Sequence, residues 1–99
     1  VTTGNDAAEK PEPPMIAPQL TPQESAVAQQ QTNQSLSIAE KNLEAARGKN
    51  LNAAQSDLVS KIRSFIKDAR EAAQIADWSR ARSLAKKAQI LAEELAASL

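Results

Sequence analysis

The chain's 99 residues carry twelve Lys and Arg against twelve Asp and Glu, with no His, Cys or Tyr and one each of Trp, Phe and Met. That length holds one small domain and a tail. The missing side chains exclude imidazole proton shuttles, thiolate nucleophiles, disulfides and Cys/His metal centres.

Residues 1–20 contain Pro11, Pro13, Pro14 and Pro18 among few large apolar groups. Proline lacks an amide donor and holds its predecessor extended, so this stretch reads as a disordered Pro-rich linker ahead of a domain at 21–99. Residues 1–21 hold one base and three acids, net −2, and the remainder eleven bases against nine acids, net +2. Neither imbalance predicts a nucleic-acid or membrane partner. No apolar run approaches the roughly 20 residues that cross a bilayer. A start at Val1 without a leader-like run reads as a mature or trimmed fragment.

Thr21-Pro22-Gln23-Glu24 is a helix entry: Thr21 caps free amides, Pro22 sits where no N–H is needed, and Glu24 reaches back to the cap. A first helix is expected over 22–47, ending at Gly48. Its apolar stripe is Leu36, Ala39, Leu43 and Ala46. Before Leu36 the run Gln29 to Gln34 supplies no apolar face, so this half is expected to fray or project.

Asn52 with Gln55 repeats the capping logic and opens a second helix over 53–76. Ala54, Leu58, Ile62, Phe65, Ile66, Ala69, Ala72, Ala73 and Ala76 share its apolar face, with Val59 on the flank. So broad a face predicts two neighbours, and places this helix at the centre of the domain. Asp77 then caps a third helix over 78–97, with the stripe Ala81, Leu84, Ala85, Ala88, Leu91, Ala92, Leu95. A one- or two-residue link makes helices two and three antiparallel neighbours. Alanines near the turn and bulk farther away predict a tapered core. The expected fold is all-α, a three-helix antiparallel bundle.

Asp77-Trp78-x-x-Ala81-Arg82-x-Leu84-Ala85-x-x-Ala88 resembles the turn of tetratricopeptide-like helix pairs. Such repeats work as stacked arrays of about 34-residue units, and a single hairpin is visible here. Over residues 11–99 the chain also resembles uncharacterised bacterial envelope proteins, often lipoproteins, that join a Pro-rich segment to a helical domain. The matching stretches are Thr-Pro-Gln-Glu at 21–24, Ala-Arg-Gly-Lys-x-Leu at 46–51 and Lys-Ala-x-x-Leu-Ala-Glu-Glu-Leu at 87–95. The resemblance implies a periplasmic or envelope location, with the cytoplasm as the alternative, and implies no activity. The lipid-bearing Cys of such proteins is absent from this sequence.

Chemistry is sparse. Glu40 with Glu44, and Glu93 with Glu94, are paired acids on helix surfaces, whereas acid–base work needs a partly dry concavity to separate their affinities for protons. Ser64-x-x-Lys67 and Ser83-x-x-Lys86 match the serine–lysine spacing of penicillin-binding enzymes without the companion motifs. Asn33-Gln34-Ser35 is a formal glycosylation sequon. No residue is assigned a catalytic, cofactor-binding or metal-binding role, and an enzyme is not expected.

Contact residues are the remaining candidates. Arg80, Arg82, Lys86 and Lys87, with Arg63 and Arg70, form a basic rim suited to solubility, to local pairs such as Asp57–Lys61 and Lys67–Glu71, or to an anionic surface. One Trp and one Phe offer little base stacking, so nucleic acid is not expected. Ile38, Ile75 and Ile90 fall off the apolar stripes and make a candidate patch for another chain. The expected function is a non-enzymatic interaction or assembly module on a flexible linker, binding a protein partner or itself. The alternative is a bundle that binds a small ligand or peptide in a loose seam beside Gln29–Gln34.

Overall fold

The computed structural model describes residues 20–99. Apart from Leu20, the linker expected over 1–20 lies outside the described residues. The rest is a three-helix antiparallel bundle: α1 (Pro22–Ala46), α2 (Ala53–Gln74) and α3 (Trp78–Ala97). Each helix reverses the one before it, so α1 and α3 run parallel.

Each helix start follows from its cap. Thr21 Oγ1 accepts from the Glu24 amide at 3.1 Å, while the Thr21 amide donates to Glu24 Oε1 at 2.9 Å. Asn52 and Gln55 reproduce this reciprocal pair at 2.8 and 2.9 Å. Asp77 Oδ1 accepts from the Arg80 amide. Gln55 does a second job: its Nε2 donates to the Ser98 carbonyl at 2.8 Å, tying the start of α2 to the end of α3.

Helix ends depart slightly from expectation. α1 stops at Ala46, with Arg47 extended and Gly48 in the left-handed region at φ 77°. α2 stops at Gln74, two residues early. There the Asp77 amide donates to the Ala72 carbonyl and the Ala76 amide to the Ala73 carbonyl, which closes a Schellman turn. The ring forces Ala76 to φ 59°, a conformation that costs a non-glycine residue about 1 kcal/mol or more. Ala76 is exposed there rather than on the buried face, and so is Ala54 in the first turn of α2.

The centre of the bundle is α3, not α2. α3 packs extensively against both other helices, whereas α1 and α2 meet sparsely. Its buried residues Ala81, Ala85, Ala88, Ala92 and Leu95 repeat every 4 and 3 positions, the period of a helix–helix seam. Side-chain size explains the reversal. Small residues admit neighbouring helices toward the short end of the roughly 8–10 Å interaxial range. On α2 the large side chains Leu58 and Phe65 are only half-buried, packed against the edge of the core.

The first half of α1 is docked, not frayed. Ala28, Thr32 and Ser35 are buried and continue the seam to Ala39 and Ala46. Thr32 satisfies its hydroxyl within the helix by donating to the Ala28 carbonyl at 2.7 Å. Ser35 donates to Gln89 Oε1 on α3 at 2.9 Å. The core tapers as expected: Ala69, Ala72, Ala81 and Ala85 are buried near the α2–α3 turn, and Ile62 and Leu95 are fully buried toward the other end.

Candidate functional site

Two grooves and one open helix face result from this packing. The outer groove between α1 and α3 is lined by Gln31, Gln34, Ser35 and Ile38 on one side and Arg82, Lys86 and Gln89 on the other, enclosing about 430 Å³. Arg82 donates to Gln31 Oε1 at 3.3 Å, and Gln89 Nε2 donates to Glu93 at 3.2 Å. The second groove lies between α1 and α2, over Leu36, Leu43 and Ile66, with Glu40, Lys67 and Gln74 among its rim residues. Glu40 and Arg70 form an ion pair across it. The open face belongs to α1 alone, where Ala26, Gln29, Gln30, Asn33, Gln34 and Ser37 look outward. A single helix presents a convex surface, so this face suits a partner helix better than a small molecule.

The candidate contact residues separate. Ile38, 36 % exposed, borders the α1–α3 groove with Arg82 and Lys86. Ile90, 52 % exposed, lies on the solvent side of α3, and Ile75, 73 % exposed, caps α2 at the turn. Lys87 points toward α2, its Nζ 5.8 Å from the Phe65 ring centroid. Arg80 is exposed in the first turn of α3. Arg63 and Arg70 line the α1–α2 groove. The cations therefore do not form one rim, because successive helical positions rotate by about 100° and face different grooves. The local pairs Asp57–Lys61 and Lys67–Glu71 are present at 3.3 and 3.7 Å, all four side chains largely exposed.

Reading the sequence for apolar stripes overlooks the buried Thr32 and Ser35, and Val27, an isolated apolar residue on no stripe, is 50 % exposed. The available signal is spacing: Ala28, Thr32, Ser35 and Ala39 share the 4-3-4 pattern of Ala81, Ala85, Ala88 and Ala92. Among the described residues no group of three or more acids could hold a metal ion, and no helix is long and apolar enough to cross a membrane. No family model, curated protein or solved structure matches the chain.

Proposed function

We propose that this chain is a non-enzymatic helical interaction module whose working surface is the exposed side of α1. One observation carries the reading. From Ser25 to Ala39 there is no charged residue, although Val27, Gln30, Gln31, Asn33, Gln34 and Ile38 are exposed. Elsewhere α2 and α3 are rich in Lys, Arg, Asp and Glu. Charge on an exposed helix opposes unspecific contact, and its depletion, with aliphatic groups among amides, is the composition of a surface covered by another chain. The Pro-rich residues and the likeness to envelope lipoproteins support a tethered module in the bacterial envelope.

A second reading, peptide or small-ligand binding, is supported by the α1–α2 groove, where Leu36, Leu43 and Ile66 lie beneath a polar rim. Sedimentation velocity over a concentration series, paired with thermal shifts in the presence of amphipathic helical peptides, tests both. Mass that rises with concentration supports assembly; a monomer stabilised by peptide supports the groove. A monomer that no peptide stabilises contradicts both.

A further inference from the structure

We propose, building on the module reading, that the occupant of the α1 surface is a second copy of this chain, paired antiparallel about a twofold axis level with Thr32 and Asn33. The stripe on the flank of α1 nearest the outer groove is Glu24, Val27, Gln31, Gln34, Ile38 and Lys41, at the 3-4-3-4-3 spacing of a helix–helix seam. All six are exposed. Read backwards, the stripe is complementary to itself. In an antiparallel pair Glu24 meets the second copy's Lys41, Val27 meets Ile38, and Gln31 meets Gln34, after which the symmetry repeats each contact.

A twofold interface requires one surface to serve as both halves, and this order meets the requirement chemically. Aliphatic contacts flank a centre where primary amides can both donate and accept, and opposite charges close each end. A parallel pair would instead set Glu24 on Glu24 and Lys41 on Lys41, a like-charge arrangement that disfavours it. Arg82 and Lys86 stand beside the central Gln pair, and Arg82 is already engaged by Gln31. Lys86 remains as the like-charge element near the axis. One helix pair of this length covers about 1,000 Å², near the lower limit for specific association, so the dimer is weak and exchanges readily.

The chain has no cysteine, which allows a direct test. Val27→Cys and Ile38→Cys proteins are prepared separately, then treated with a short bis-maleimide alone and mixed, at several protein concentrations. The proposal predicts dimer in the mixture and little in either protein alone, because eleven residues of helix place like positions about 16 Å apart along the axis in an antiparallel pair. Ile90→Cys, on the solvent side of α3, does not cross-link. Sedimentation of otherwise native chains supplies the second arm. Lys41→Glu is expected to weaken the dimer about five- to thirtyfold, by replacing two attractive pairs with two repulsive ones, and Lys86→Gln to tighten it about twofold.

Efficient cross-linking of Val27→Cys with itself shows a parallel pair and overturns the proposal. Mass that rises with concentration without Val27–Ile38 cross-linking overturns this pairing and leaves the module reading standing. A chain that stays monomeric up to millimolar concentration overturns the pairing, and if amphipathic peptides also fail to stabilise it, the module reading falls with it.

Discussion

Ala88→Leu probes the small-residue packing of α3 most sharply. Ala88 has no solvent-exposed surface and lies in the principal core cluster with Ala85, Ala92 and Leu95. Leucine adds three carbon atoms where neighbouring helices leave no room, so either the axes separate or the side chain leaves its rotamer. Overpacking of this kind costs about 1–3 kcal/mol. A domain of about eighty residues has a total stability of about 4–12 kcal/mol. A loss near 2 kcal/mol lowers Tm by about 10 °C, measured by circular dichroism at 222 nm. Ala54→Leu is the paired control. Ala54 shares the apolar stripe of α2 in projection, yet it is exposed in the first turn, so the same added bulk changes stability by less than about 0.5 kcal/mol. Equal losses at both positions, or no loss at Ala88, would refute the assignment of faces.

Ala76→Gly is expected to raise stability by about 0.5–1 kcal/mol in urea denaturation, because relief of the left-handed strain at φ 59° outweighs the added freedom of the unfolded chain. Gln55→Ala removes the return bond to the Asn52 amide and the tie to Ser98, and should cost about 1–2 kcal/mol in the same assay. Arg70→Ala breaks only the half-exposed pair with Glu40 and should cost less than about 1 kcal/mol, with most of the loss abolished by 1 M salt.

Legibility in the sequence followed how local each feature is. The caps at Thr21, Asn52 and Asp77 depend on residues three positions apart, and each forms as the sequence implies. The stripe of α3 was equally plain, since alanines and leucines at seam spacing have one use in a polar chain. The docked first half of α1 was not, because Thr32 and Ser35 count as polar until their hydroxyls are seen bonded to Ala28 and Gln89. The central position of α3 was hidden for a related reason: hydrophobicity measures what a face repels, whereas helix approach depends on how small its side chains are. Ala76 gave no warning either, since its backbone is set by the turn closing around it rather than by its own preference.

For the candidate surface, the exposure of Ile38, Ile75 and Ile90 was readable from periodicity, and their separation in space was not. Facing positions on α1 and α3 depend on the parallel register that Ser35–Gln89 and Gln31–Arg82 report. The dispersal of Arg80, Arg82, Lys86 and Lys87 has the same origin, because neighbours in sequence on a helix look toward different grooves.

Residue-resolved native-state hydrogen exchange tests the central claim, that α1 lies against α3 along a small-residue seam from Ala28 onward. The amides from Thr32 to Ala39 should exchange only through global opening, with free energies matching those of Ala85 to Ala92. Rapid exchange across Gln29 to Leu36 while α3 stays protected would contradict it, since a projecting helix exchanges by local fraying.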